Sequence, residues 1–239
     1  CNDPVKLQVF VNTVEAKLWD SKGTDKASNI DLMREGRREG TFGKGNALNR
    51  PVCPASVVLI TAGVDVQSNR IEIEVKGWGL GEESWSLDYI VIYGDTHTSP
   101  RTGAIWAELD IALMATYTHE AYGTMGISAV ALDTGHESQH VIEFVRPRLR
   151  RRYYAIKGKE DTHGVRRPIW PPNGKQVAKK GVVPLYMVGI DSCKEHIYGR
   201  LRNVTKYGPG YMHFPLERDS TYFRQLLSER KQSKVTGGR

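Results

Sequence analysis

In the stretch Leu59-Ile60-Thr61-Ala62-Gly63-Val64-Asp65-Val66-Gln67-Ser68-Asn69-Arg70-Ile71-Glu72-Ile73-Glu74-Val75-Lys76, an apolar run gives way to a polar turn and then to strict alternation. Ile71, Ile73 and Val75 interleave with Glu72, Glu74 and Lys76, the period-2 signature of a half-buried strand, so the stretch predicts a β-hairpin. With Ser68 and Asn69 as a two-residue loop, Val66 pairs with Ile71 and Asp65 lies opposite Glu72. Residues 84–93 read as a third strand that completes an antiparallel meander.

Downstream the period changes. Residues 104–116 predict a helix with Ile105, Leu109, Ala112 and Leu113 on one face, and residues 127–132 predict a strand buried on both sides. Val141, Ile142, Phe144, Val145 and Leu149 follow helical spacing, and Pro147 is expected to kink or end that helix. A short strand at 153–156, a long mobile loop at 158–181 and a buried strand at 182–190 follow. A last helix is expected from Ser192, with Ser192-Cys193-Lys194-Glu195 as a capping box and Cys193, Ile197, Leu201 and Val204 facing inward. The fold class predicted is α/β, a mixed sheet made of an antiparallel meander plus parallel strands, flanked by helices. Upstream, residues 5–19 read as a short apolar segment ending in Trp19 and residues 20–50, with five glycines and many charges, as an irregular connector with a short helix near 30–38, so that 1–50 reads as an extension or linker. The folded domain is expected over 51–239.

The chain has 239 residues, 39% hydrophobic and 26% charged, enough to bury a core and without an apolar stretch of membrane-spanning length. Three widely spaced cysteines, Cys1, Cys53 and Cys193, fit reduced thiols better than a disulfide framework. The start Cys1-Asn2-Asp3-Pro4 resembles neither a signal peptide nor an initiator methionine, so a fragment of a longer chain is expected. The net charge is +7, and it is unevenly spread. Residues 146–180 hold twelve basic residues against Glu160 and Asp161, a net +10, which leaves −3 for the remainder. A basic block in an otherwise slightly acidic chain fits a phosphate backbone, or simply a solvated face.

Three apolar segments each end in an aspartate: Asp65, Asp133 and Asp191. Strand ends are where sites form in open α/β sheets. Converging carboxylates repel one another, and a divalent cation relieves this, as in two-metal phosphoryl transfer. Each aspartate also has a plainer reading, as a turn residue (Asp65) or a helix cap (Asp133, Asp191). Glu72, on the Asp65 face by hairpin parity, is an auxiliary ligand candidate.

Two other patterns compete. His136-Glu137-Ser138-Gln139-His140 matches the H-E-x-x-H of zinc hydrolases, although it falls in the first turn after Asp133-Thr134-Gly135, Pro147 interrupts the helix soon after, no H-x-x-G-x-x-H extension follows, and Glu160, the one imaginable third ligand, lies in the basic loop. Surface histidines are the plainer reading. Asp65 with Glu74-Val75-Lys76 imitates a D…(E/D)-x-K nuclease motif, but leaves Asp133 and Asp191 without a role. A non-catalytic DNA-binding module is the third alternative. No G-x-x-x-x-G-K-[ST] occurs, so the chain carries no P-loop of its own.

Phe10-Val11-Asn12-Thr13, the Leu59 to Gln67 run with Arg70-Ile71-Glu72, Gly77-Trp78-Gly79, Ala155-Ile156-Lys157-Gly158 and Val188-Gly189-Ile190-Asp191 with Lys194 together resemble the C-terminal half of GpA-type large terminase subunits of tailed phages. The resemblance implies a ribonuclease H-like nuclease domain that cuts concatemeric double-stranded viral DNA during packaging. It implies an ATPase domain upstream in the same polypeptide, and a small terminase subunit and the portal or procapsid as partners. It places the protein in the host cytoplasm, outside the virion. Carried over, Asp65, Asp133 and Asp191 would be the catalytic acids that bind two Mg²⁺ or Mn²⁺ ions. Lys157 is expected to neutralise the scissile phosphate. Lys159, Arg166, Arg167, Lys175, Lys179, Lys180 and Lys194 are expected to follow the DNA backbone.

Overall fold

The structure, a computed structural model, describes residues 38–39, 52–162, 165–176 and 183–226. The expected extension over 1–50 therefore lies outside the described residues except for 38–39, and so does the expected helix near 30–38 apart from Arg38, which is in a strand. In chain order the described strands are β1 (Arg38–Glu39), β2 (Val52–Cys53), β3 (Leu59–Val66), β4 (Arg70–Trp78), β5 (Ser84–Tyr93), β6 (Thr116–His119), β7 (Gly123–Gly126), β8 (Ala129–Asp133), β9 (Tyr153–Lys159), β10 (Lys175–Gln176), β11 (Pro184–Gly189) and β12 (Met212–Pro215). The described α-helices are α1 (Ala104–Leu113), α2 (Ser138–Val145), α3 (Ile190–Asn203) and α4 (Ser220–Leu226).

β3, β4 and β5 form the predicted meander. Val66 pairs with Ile71 and Asp65 with Glu72, and the Gln67 amide donates to the Arg70 carbonyl at 2.9 Å across a two-residue loop. β8 joins β3 in parallel, β9 joins β8 and β11 joins β9, and β10 closes that side antiparallel. The result is a nine-stranded mixed sheet in the order β1-β12-β5-β4-β3-β8-β9-β11-β10, with helices against it, a ribonuclease H-like α/β arrangement. β2, β6 and β7 make a separate three-stranded sheet.

Alternation along β3 and β4 sends Ile60, Ala62, Val64, Val66, Ile71, Ile73 and Val75 to one face, where they pack with Ile105, Trp106 and Leu109 of α1 and Val141, Phe144 and Val145 of α2. Deleting a buried side chain of this size costs about 2–5 kcal/mol. The opposite face of the meander carries Asp65, Glu72, Glu74 and Lys76. α4 reaches that face, where the Tyr222 hydroxyl donates to Glu74 at 3.2 Å. α3, β12 and α4 share a second, smaller cluster of Leu201, Met212, Phe214 and Phe223.

Several expectations are corrected. β8 alternates between half-buried and buried positions instead of being buried on both sides, because only one of its faces meets α2. α1 stops at Leu113, and residues 116–126 form the β6–β7 hairpin that went unread. α3 begins at Ile190 with Gly189 as its N-cap, so Ser192 and Glu195 make no capping box. Instead the Ser192 hydroxyl donates to the Arg167 carbonyl at 2.6 Å, and Glu195 pairs with Arg166. Tertiary partners won over the local cap. Pro147 behaves as expected: α2 ends at Val145 and a 3-10 helix, Arg146–Arg151, carries the proline in its first turn.

Candidate active site

β3, β8, β9 and β11 are adjacent and parallel, so their carboxyl ends lie along one end of the sheet, as a crevice site requires. Asp65 stands one residue before the end of β3, on the face opposite Val64 and Val66, and its Oδ2 accepts a 2.7 Å bond from Gln67 Nε2. Val64 pairs with Leu132 on β8, which brings Asp133, the last residue of that strand, beside Asp65. Burial pushes the Asp133 carboxyl above its ordinary value, and the Asp65 charge adds to the rise, against the Gly135 and Thr134 amides and Lys157. The Gly135 amide donates to Asp133 Oδ1 at 3.2 Å, and a Cβ on Gly135 would sit 2.9 Å from Oδ2. Gly135 thus allows the carboxylate to fold back over its own turn.

Asp191 is at the same sheet end but farther along it. It lies in the first turn of α3, directly after β11, two strand spacings or about 10 Å from β8. Its Oδ2 accepts the Asp161 amide at 2.8 Å. The structure therefore couples Asp65 with Asp133 and ties Asp191 to the basic loop; the three carboxylates do not present ligand atoms within 4.8 Å of one another. Glu72 is occupied as well, with Arg70 Nε at 2.6 Å on one oxygen and the Tyr89 hydroxyl at 2.6 Å on the other. Burial raises the Glu72 carboxyl, but those two bonds outweigh it and the net shift is downward.

The loop expected to be mobile is anchored where it is described. Asp161 Oδ1 accepts the Arg167 amide at 2.8 Å, the Gly189 amide donates to Pro168, and Trp170 stacks on Tyr186 with Tyr154 at its edge. A Cβ on Gly189 would lie 2.6 Å from the Arg167 carbonyl, so only glycine permits this approach. Lys157 and Lys159 are exposed at the carboxyl end of β9. Arg166 meets Ser192 and Glu195, and Arg167 Nε donates to the Glu160 carbonyl at 2.9 Å. Lys194 is half-buried on α3, the Lys175 side chain is not described, and Lys179 and Lys180 lie outside the described residues. The basic block is split: the 3-10 helix Arg146–Arg151 precedes β9, so its arginines sit at the opposite end of the sheet.

With this geometry in place, the comparisons fix the family. Residues 1–239 match the family described as terminase large subunit gpA, endonuclease domain. The chain belongs to this family. It is 33% identical over 245 residues to the "Terminase, large subunit" of Escherichia phage lambda, and 29% identical over 255 residues to that of Enterobacteria phage P21. Each alignment covers 99% of this chain but 35% of the relative, so the chain spans about a third of the length of the curated relatives it matches. No solved structure matches it.

The H-E-x-x-H reading fails in this gpA-family domain. Helix α2 begins at Ser138, and Glu137 precedes it in the left-handed region with φ 47°, so His136 is outside the helix and cannot share a face with His140. Glu137 instead gathers its neighbours: Oε2 is 2.7 Å from His140 Nδ1, and Oε1 is 2.6 Å from His97 Nδ1 and 3.7 Å from His136 Nε2. Sequence reading missed His97, since it stands about 40 residues upstream with no periodic signal. Gly135 and Gln67 were missed too, though a glycine two residues after a candidate acid was a usable clue.

Proposed function

We propose that this domain is a two-metal-ion endonuclease that cuts concatemeric double-stranded viral DNA during genome packaging. The observation that carries the reading is the adjacency of Asp65 and Asp133, each next to the paired Val64 and Leu132 at the carboxyl ends of β3 and β8, in a family described by its endonuclease domain. A carboxylate whose ionisation is opposed by burial and by a second carboxylate fits a divalent cation, which would offset both penalties. Oxygen donors of this kind suit Mg²⁺ or Mn²⁺.

Asp65 and Asp133 would hold the ions, with Asp191 as the third acid. Such ions, when bound, activate the attacking water and stabilise the leaving oxygen of an in-line displacement. The chain's own groups do the rest. Lys157 would face the scissile phosphate, and Lys159, Arg166, Arg167, Lys175, Lys179, Lys180 and Lys194 would follow the backbone without reading bases. The bonds from Asp161 to Asp191 and from Ser192 to Arg167 hold this loop against α3, so DNA contact and the third acid would be set by one anchorage. Glu72 is assigned to positioning Arg70 and Tyr89.

Residues 51–239 would form the nuclease domain, and 1–50 a linker from an ATPase domain of the same polypeptide. The small terminase subunit and the portal or procapsid would be partners, in the host cytoplasm. The test is plasmid cleavage by the chain with Mg²⁺, Mn²⁺, Zn²⁺ or EDTA, alongside Asp65→Ala. Cleavage with Mg²⁺ or Mn²⁺ that EDTA and the substitution both abolish is expected. DNA binding without cleavage under every metal would favour a binding module instead.

A further inference from the structure

We propose that His97, His136 and Glu137 form a binding site for a borderline transition metal of the Zn²⁺ class, separate from the aspartates. One ligand atom of each lies within 4.8 Å of the other two. The Glu137 Oε1 distances of 2.6 Å to His97 Nδ1 and 3.7 Å to His136 Nε2 bracket the about 3.3 Å that separates ligand atoms around a tetrahedral ion with bonds near 2.0–2.1 Å. The two imidazoles meet edge to face, 5.9 Å between centroids, with both rings exposed to entering solutes.

The surroundings hold the carboxylate in place. His140 Nδ1 binds Oε2 at 2.7 Å from the first turn of α2, which leaves Oε1 for the two other histidines, and a metal ligand steadied from behind in this way is the usual second layer of such sites. Glu137 adopts φ 47°, a conformation that costs a non-glycine residue free energy, and its Oε1 lies 2.6 Å from His97 Nδ1. Two neutral imidazoles and one carboxylate leave one position for water, a donor set that favours Zn²⁺, Co²⁺ or Ni²⁺ over Mg²⁺.

The site would join two segments that leave the same end of the sheet: the loop after β5, which carries His97, and the turn after β8, which follows Asp133 and carries Gly135, His136 and Glu137. A bound ion would clamp them together. This inference does not depend on the nuclease reading. Its test is calorimetric titration of the 239-residue chain with Zn²⁺, after chelator treatment and in excess Mg²⁺, with Co²⁺ visible absorption and the melting temperature as second readouts. One ion per chain is expected, with a rise in melting temperature. His97→Ala, His136→Ala and Glu137→Gln should each lose the ion and the rise, while Asp65→Ala and Cys193→Ser keep both. The proposal is overturned by absence of Zn²⁺ binding, by binding that survives the histidine substitutions, or by binding lost in Asp65→Ala or Cys193→Ser.

Discussion

Gly135 carries more of the site than its size suggests, because a methyl group there would meet the Asp133 carboxylate at 2.9 Å. Gly135→Ala should leave the melting temperature close to that of the parent yet lower cleavage on the order of a hundredfold, since displacing a reacting group by about 1 Å costs that much; single-turnover rates check this. Asp133 also sets a pH dependence. Its carboxyl is raised above the ordinary 3.8, so the folded state holds that proton more tightly than the unfolded chain, and stability is lost as pH rises from 3.8 through the raised value. Asp133→Asn should therefore melt above the parent at neutral pH without metal, and the gap should close in acid. Excess Mg²⁺ should reverse the order, because only the parent offers the ion both the Asp65 and the Asp133 carboxylates. Thermal melts across pH, with and without Mg²⁺, are the check. The place of the three aspartates at one end of the sheet was legible in the sequence because each ends an apolar run; the Asp161 amide on Asp191 was not, because it joins residues 30 apart.

Among the elements, β3 and β4 were readable to the register, because alternation and a two-residue turn fix both the face and the pairing of every residue. That reading has a consequence for stability. Ile73 is fully buried on the helix-covered face while its neighbours Glu72 and Glu74 point the other way, so Ile73→Ala should cost about 2–5 kcal/mol in chemical denaturation and leave metal affinity intact. Helix α3 was misread at its start because Gly189, Ser192 and Glu195 answer to Pro168, Arg167 and Arg166, tertiary contacts that outweigh a local cap. The β6–β7 hairpin was unread since four-residue strands leave too little pattern, and β12 lies beyond the last helix recognised, paired with a strand more than a hundred residues earlier.

At the scale of the whole molecule, the fold divides a basic block that the sequence shows as continuous. Lys157 and Lys159 are at the aspartate end of the sheet, whereas Arg146 and Arg150 are exposed at the other. Replacing both lysines with alanine should reduce the slope of log affinity for DNA against log salt by about 2, one phosphate contact each, while the same change at Arg146 and Arg150 leaves it unaltered; fluorescence anisotropy over a salt series measures both. The sheet's parallel half collects the acids, the exposed lysines and the anchored loop along one end, and the claim that this end cuts DNA rests on its capacity to hold ions. Anomalous diffraction from a crystal of the chain soaked in Mn²⁺ tests that claim most directly. The account predicts manganese bound by Asp65 and Asp133 and absent in Asp65→Ala; a soaked crystal with no manganese at those carboxylates would contradict it.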